Sequence, residues 1–215
     1  MFTGIINEIG EIEYFERVSN NLFSISIKCH KILNNIQVGE SIAVNGVCLS
    51  VKSFSSSSFA TNIMLETINK TTFKNMSLLK FVNLERALLP NTRISGHFVS
   101  GHIDGIGKII DIEKTEGNYN LKISAPQSIM EYIVYKGSIA INGVSLTIAD
   151  INDNYFSVSL IPLTLQETNL KYLKINDEVN IETDLLGKYV KKFLFTQKKI
   201  NSSSKITEEF LIKNL

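Results

Sequence analysis

Ser41-Ile-Ala-Val-Asn-Gly-Val-Cys-Leu-Ser-Val51 returns as Ser138-Ile-Ala-Ile-Asn-Gly-Val-Ser-Leu-Thr-Ile148, so the chain carries one unit twice. Gly46 and Gly143 stand 97 residues apart, and so do Gly4 and Gly101 in a second match, Thr3-Gly-Ile-Ile6 against Ser100-Gly-His-Ile103. The same offset links Gly10 to Gly107, Phe59 to Phe156, Thr67 to Thr164, Asn83 to Asn180 and Glu85 to Glu182. Pairing Gly39 with Gly137 requires a one-residue slip, which a loop accommodates. Only two copies at so long a period indicate a duplicated domain, because solenoid repeats are shorter and need several stacked units. Each copy has the size of a small domain with its own core, about 100 residues.

Within each copy the pattern is that of strands. Leu22-Phe-Ser-Ile-Ser-Ile-Lys28 and Tyr119-Asn-Leu-Lys-Ile-Ser124 alternate apolar and polar residues with period two. Ile42-Ala-Val44, Leu49-Ser-Val-Lys52, Phe59-Ala-Thr61 and their second-copy partners are short and rich in β-formers. Asn45-Gly46 and Asn142-Gly143 each separate two such runs and suit a tight hairpin. About six short strands per copy favour a closed barrel, which leaves no unpaired edge. Lys31 to Ile36 and Ser128 to Ile133 are expected to form one short helix per barrel, the second capped by Ser128. After Asp184 the repeat stops, and Gly187 opens an amphipathic helical segment that Asn201-Ser-Ser-Ser204 breaks before a last short helix from Thr207. A helix outside the cores with one apolar face most readily buries that face against another subunit.

The chain has 22 Lys plus Arg against 21 Asp plus Glu, so no global field draws nucleic acid or an anionic membrane. Met1-Phe-Thr-Gly4 has neither the basic start nor the apolar run of a signal peptide, no stretch reaches a membrane span of about 18 apolar residues, and a cytoplasmic location is expected. Cys29 and Cys48 form no CxxC, and with three histidines they offer no chelating spacing for zinc. Near-neutrality points toward a small-molecule or protein partner.

Met1-Phe-Thr-Gly-Ile5, Asn45-Gly-Val-Cys-Leu-Ser50, Gly96-His-Phe-Val-Ser-Gly-His-Ile103, Tyr135-Lys-Gly137, Asn142-Gly-Val-Ser-Leu-Thr147 and Leu160-Ile-Pro162 together resemble the riboflavin synthase alpha-chain family over about residues 1 to 190. The resemblance implies an all-β fold of two homologous six-stranded Greek-key barrels in tandem, residues 1–97 and 98–186, followed by a helical trimerisation segment, 187–215. It implies a transferase that dismutates two 6,7-dimethyl-8-ribityllumazine molecules into riboflavin and 5-amino-6-ribitylaminouracil, with no cofactor or metal. It also implies a homotrimer whose sites combine two subunits, with lumazine synthase as a further candidate partner. Two copies of one substrate suit two similar cradles.

Carried over by position, the first-barrel pocket takes Gly4, Ile5 and Ile6, then Cys48, Leu49 and Ser50, and an expected strand of Asn62, Ile63, Met64, Leu65, Glu66 and Thr67. The second takes Gly101, His102 and Ile103, then Lys136, then Ser145, Leu146 and Thr147, and finally Ile161, Pro162, Leu163, Thr164, Leu165 and Gln166. The catalytic candidates are Cys48, His102, Ser145, Thr147 and Asp184. Cys48 offers a thiol nucleophile or proton-transfer group, against the plainer role of a small buried thiol. Ser145 and Thr147 share one strand face, available to a ligand or to cross-strand pairing. His102 is the acid or base best suited to neutral pH. Lys136 would hold a carbonyl, anionic edge or ribityl hydroxyl, or is a solvated turn lysine; Asp184 would orient a base or cap the following helix. His97, at an odd spacing from His102 in an extended run, is assigned to the opposite face and a structural role. The copies differ at Cys48 against Ser145, Ser50 against Thr147, Ile5 against His102 and Ala87 against Asp184, where donor and acceptor must be handled differently. Ser50 stands where the family usually has threonine, and Leu163 where a polar residue is frequent. The same duplicated barrels serve as non-catalytic chromophore carriers in light-emitting bacteria, so a lumazine or flavin carrier is the alternative.

Overall fold

In the computed structural model, which describes residues 1–115 and 118–203, Asn45 and Gly46 take φ of 46° and 80°, and Asn142 and Gly143 take 46° and 79°. These are the left-handed central residues of a two-residue hairpin, matched to the twist of the flanking strands. The first hairpin joins β3 (Ser41–Val44) to β4 (Val47–Phe54), the second β9 (Ser138–Ile141) to β10 (Val144–Ile151). With β1 (Glu8–Ser19), β2 (Leu22–Lys28), β5 (Ser58–Met64) and β6 (Phe81–Arg86), the first pair closes a barrel in the order β1-β2-β5-β4-β3-β6. β7 (Gly105–Thr115), β8 (Asn118–Ser124), β11 (Tyr155–Leu160) and β12 (Glu178–Thr183) close the second around β9 and β10 in the same order. All pairings are antiparallel.

Alternation decides which side chains fill each barrel. Val47, Leu49 and Val51 point inward on β4 with Ile25, Phe59 and Leu84, while Cys48 is half-buried and Ser50 exposed on the outer face. On β10, Val144, Leu146 and Ile148 point inward with Leu121, Phe156 and Ile181, and Ser145 and Thr147 face out.

The offset of 97 holds through the loop where a slip was expected. Gly39 N–H donates to Val51 O and Lys136 N–H to Ile148 O, at 2.8 and 3.2 Å, and both residues are left-handed, with φ of 87° and 63°. Glu40 and Gly137 are likewise equivalent, since their carbonyls accept from Val51 and Ile148. The glycine match therefore misled: Lys136 occupies a backbone position that the first copy gives to glycine.

Helices are shorter than expected inside the barrels. Lys31–Leu33 is a single 3₁₀ turn, and α2 spans only Gln127–Met130, with Pro126 rather than Ser128 at its N-cap and no side-chain cap bond. Ser128 lies inside that one turn, and the Pro126 carbonyl accepts from Ile129 and Met130. Asn62 to Thr67 is not one strand either: β5 stops at Met64 and α1 runs from Leu65 to Lys70, braced by the Glu66–Lys70 pair at 2.7 Å. In the second copy β11 stops at Leu160, and α3 (Pro162–Glu167) begins with proline in its first turn, where the missing N–H is no loss.

α4 (Leu185–Ser203) belongs to a unit separate from residues 1–184. It starts two residues before Gly187 and continues through Asn201-Ser-Ser203, where a break was expected, because serine and asparagine cost a helix only about half a kcal/mol each. The helix expected from Thr207 lies outside the described residues. Leu186, Tyr189, Val190, Phe193 and Leu194 are exposed at helical spacing. Among the described residues no helix is long and apolar enough to cross a membrane.

Candidate functional site: two exchanged loop and strand cradles

The two hairpins meet back to back. A Cβ on Gly46 would fall 2.8 Å from Gly143 N, and one on Gly143 would fall 2.7 Å from Gly46 N, so no side chain fits at this approach. Four buried asparagines seal it. Asn83 Nδ2 donates to Asn142 O and Asn180 Nδ2 to Asn45 O, both at 2.9 Å, while Asn83 N–H donates to Asn45 Oδ1 and Asn180 N–H to Asn142 Oδ1, both at 2.8 Å. Each bond in one copy has its counterpart in the other, which makes the junction an approximate two-fold axis.

The segments leading into the barrels cross this axis. Phe2 and Val99 form an antiparallel bridge, with Phe2 N–H to Val99 O at 2.7 Å and the reciprocal bond at 3.1 Å, and Phe2 is fully buried among Ala43, Val99 and Ala140. Glu85 then accepts from Thr3 N–H, Thr3 Oγ1 and Gly4 N–H at 2.7, 2.7 and 2.9 Å. Glu182 accepts from Ser100 N–H, Ser100 Oγ and Gly101 N–H at the same three distances. Burial pushes the Glu85 carboxyl up, and the donors from Thr3 and Gly4 pull it back. Three donors on one buried carboxylate fix each loop rigidly.

The loops so fixed are exchanged between barrels. Gly4 O accepts from Ser145 N–H at 2.8 Å, and a Cβ on Gly4 would lie 2.6 Å from Ser145 Cβ. Gly101 O accepts from Cys48 N–H at 2.9 Å, and a Cβ there would lie 2.5 Å from Cys48 Cβ. Both glycines are left-handed, with φ of 77° and 85°, so each position is closed to other residues by conformation and by space. Ile6 accordingly packs on the second barrel's core and Ile103 on the first barrel's. This corrects the grouping expected from sequence. Gly4, Ile5 and Ile6 stand with Ser145, and Gly101, His102 and Ile103 stand with Cys48, because the repeat reveals which residues are equivalent but not which are adjacent.

The remaining residues take graded positions. Leu49, Leu146 and Ile63 are buried in the cores, so only their backbone edges are available outside. Met64, Glu66, Ile161, Leu163 and Gln166 are exposed, and Asn62, Leu65, Thr67, Thr164 and Leu165 are half-buried. Met64, Leu65 and Glu66 border a surface cleft of about 520 Å³, and Thr3 and Ile5 border one of about 630 Å³ whose wall includes the Glu40–Arg86 ion pair. His102 is exposed, its N–H donating to Ser100 Oγ at 3.2 Å. Lys136 extends over the Tyr135 ring, 4.9 Å from its centroid.

His97 is the residue whose position the sequence did not disclose. The stretch holding it is not a regular strand, so counting faces from His102 does not apply. Its Nδ1 lies 2.7 Å from Ser145 Oγ, and its N–H donates to Thr3 O at 3.1 Å. Burial holds the imidazole below its ordinary value, while the carboxylates of Asp184 and Glu182 push the other way. Phe2 was also missed as a positioning residue; its place opposite Val99 is set by a single isolated bridge with no period to detect.

The arrangement offers two near-identical rigid cradles, one presenting a thiol and the other a hydroxyl beside an imidazole. The lumazine binding domain profile matches residues 3–87 and 100–184. The chain is 43% identical to the riboflavin synthase of Actinobacillus pleuropneumoniae, covering 98% of each chain, and 41% identical to that of Bacillus subtilis (strain 168), covering 100% of this chain and 99% of the other. Among solved structures, LumP complexed with riboflavin superposes with a TM-score of 0.77 at 30% identity, and LumP complexed with 6,7-dimethyl-8-(1'-D-ribityl) lumazine with 0.76 at 28%; each match covers 85% of this chain and 99% of the other. Two lumazine-binding repeats within full-length relatives of this similarity settle the assignment: the chain belongs to the riboflavin synthase family.

Proposed function

We propose that the protein converts two molecules of 6,7-dimethyl-8-ribityllumazine into riboflavin and 5-amino-6-ribitylaminouracil by moving a four-carbon unit from one to the other. The observation that carries this reading is the paired cradle with one chemical difference, Cys48 at 2.9 Å from Gly101 O through its amide and Ser145 at 2.8 Å from Gly4 O through its own. Atoms balance with no oxidant, reductant or cofactor, so the protein's task is to hold two rings together and to move protons.

In this reading the Ser145 cradle adds Ile5, Lys136, Thr147, Asp184 and residues 161 to 166, and the Cys48 cradle adds Ser50, His102 and residues 62 to 67. Cys48 acts as nucleophile or proton-transfer group, His102 as acid or base at the exposed rim, Ser145 and Thr147 as hydroxyl donors, and Asp184 as the carboxylate that orients the base. Lys136 meets a ring carbonyl or the ribityl chain. Its left-handed φ of 63° supports a side-chain role, because such strain persists where function requires it. We also place the chain in a cytoplasmic homotrimer built from two barrels, 1–97 and 98–186, and an assembly segment, 187–215. The working site then joins the Cys48 cradle of one subunit to the Ser145 cradle of a neighbour. The exposed apolar side chains of Val134, Tyr135, Ile161 and Leu163 around the second cradle support a covered surface there, and those of α4 a covered helix face. Association with lumazine synthase, whose product would be this substrate, completes the proposal.

The test is incubation of the purified protein with 6,7-dimethyl-8-ribityllumazine while riboflavin is followed by absorbance. One riboflavin per two lumazines consumed is the expected result. Lumazine bound without riboflavin formed would make the protein a carrier. Sedimentation of the same sample reads the trimer separately.

A further inference from the structure

We propose that the cleft between the two barrels, walled by the first residues of β6 and β12, is a second binding site that takes a phosphate ester of a planar heterocycle, of mononucleotide size. The cleft holds about 420 Å³ and shares no residue with either cradle. That volume lies in the range of small-molecule pockets, about 300–1,000 Å³. Thr72 and Asn169, Asn75 and Tyr172, Lys80 and Asp177, and Phe81 and Glu178 all line it, and the members of each pair stand 97 residues apart. The cleft therefore straddles the approximate two-fold axis, and duplication alone would make its two walls alike. They differ. Phe81 stacks on Tyr172, with ring centroids 4.8 Å and planes 24° apart, whereas Glu178 in the equivalent position accepts from Asn75 Nδ2 at 2.9 Å. One wall is aromatic and the other polar.

The groups that the fold leaves uncommitted set the ligand's chemistry. Both acids of the cleft are already bonded: Glu178 also pairs with Lys74 at 3.0 Å, and Asp177 Oδ2 accepts from Lys174 N–H at 2.8 Å. The two lysines that line it are not so held. Lys108 pairs with no carboxylate among the described residues. Lys80 reaches only Glu11, at 3.4 Å between exposed side chains, while its ammonium lies 5.2 Å from the Phe81 centroid. An exposed pair of this kind is weak and yields readily to a dianion. Two ammoniums beside an aromatic wall suit a phosphate carried on a planar ring. Thr72 and Asn169 supply the ring's polar partners. Their backbone N–H groups donate to Asn180 Oδ1 and Asn83 Oδ1 at 2.8 and 2.6 Å, and Asn169 Nδ2 donates to Asn45 Oδ1 and Phe81 O at 2.9 and 3.0 Å, so both residues are fixed. Thr72 Oγ1 and Asn169 Oδ1 are nevertheless buried with no protein partner, in residues only 2% and 6% exposed. Buried polar atoms left unpaired are costly, and an N–H on a ring seated between the walls is the group that satisfies them. Because the amide oxygen can only accept, it selects a heterocycle with a donor edge over a hydrocarbon ring.

The test is ³¹P NMR titration of the full chain, which reads the ester alone, with riboflavin at saturation to fill the cradles. Only that use of riboflavin rests on the functional reading above. Flavin mononucleotide and adenosine monophosphate are the probes, and inorganic phosphate is the reference. At least one ester is expected to bind about tenfold or more tightly than inorganic phosphate, because the ring adds the aromatic wall and the donor contacts. Which of them binds identifies the ring as flavin or purine. Lys80→Gln and Lys108→Gln, both at exposed positions, are each expected to weaken that ester by about tenfold while riboflavin affinity stays within about twofold. Tyr172→Ala is expected to bring the ester down to the level of inorganic phosphate. No ester tighter than inorganic phosphate, or binding indifferent to both lysine changes, would overturn the proposal. If riboflavin itself does not bind, the functional reading fails, while the lysine and tyrosine variants still decide where the ester sits.

Discussion

Lys136 and Gly39 occupy the same backbone position in the two copies, so exchanging their identities separates backbone strain from side-chain function. A non-glycine residue in the left-handed region costs about 1–2 kcal/mol, and glycine loses roughly 0.5–1 kcal/mol more chain entropy on folding than other residues. At Gly39, with φ of 87°, a Cβ meets nothing within 4 Å, so Gly39→Lys has only these two effects and is expected to destabilise by about 0.5–1 kcal/mol. Lys136→Gly reverses both but loses the contact with Tyr135, worth about 0.5 kcal/mol at an exposed site, leaving a net gain of about 0–0.5 kcal/mol. At this chain length 1 kcal/mol moves the melting temperature by about 2–4 °C, so thermal unfolding should resolve opposite signs for the pair. Activity should divide the other way: Lys136→Gly loses more than about tenfold in kcat/KM while Gly39→Lys stays within about twofold. A Lys136→Gly protein destabilised by more than about 1 kcal/mol would refute the strain argument. A fully active one would refute the role assigned to the ammonium.

Alanine at Gly4 or Gly101 combines left-handed strain with a Cβ 2.6 or 2.5 Å from the opposing Cβ, and should cost about 2–5 kcal/mol by denaturant titration; a loss no larger than that of Gly39→Ala would show that the exchanged loops are not tightly seated. Because the folded His97 resists protonation, its contribution to stability is present above pH 6.5 and is lost as pH falls below that value. The melting temperature of the unaltered protein should therefore fall more steeply than that of His97→Asn between pH 7 and 5.5, and a steeper fall in the variant would reverse the assignment. Burial first, then Glu8 and Glu13, pushes the Cys29 thiol up to about 12, whereas Cys48 is only half-buried. Iodoacetamide at pH 8 should accordingly modify Cys48 in the folded protein, and peptide mapping that finds Cys29 modified first would contradict the structure.

The barrels were legible because their determinants are local. Alternation in Phe23–Ile27 and the Asn-Gly hairpins are set by pleat and turn geometry, and the structure keeps them. What failed depends on tertiary contact. β5 gives way to α1 at Leu65, whose N–H is claimed by Asn21 O, a partner far away in sequence. The Gly39 register was misread because glycine is the commonest residue in a left-handed turn and Lys136 takes that conformation instead. Of the candidate site, Ser145 and Thr147 were placed together on one strand face, opposite Leu146, by period two alone. The pairing of Gly4 with Ser145 and of Gly101 with Cys48 has no trace in a self-comparison, and His97 lay in a stretch with no period to read.

The exchange of loops also governs how such a chain can diverge. After a duplication each half is ordinarily free to drift, since its packing constraints lie within itself. Here a change at position 145 is felt by the glycine at position 4, and a change at 48 by the glycine at 101. The two halves are held to a common history by steric contact, and only atoms that project from the outer strand faces, a sulfur on one and an oxygen on the other, escape it.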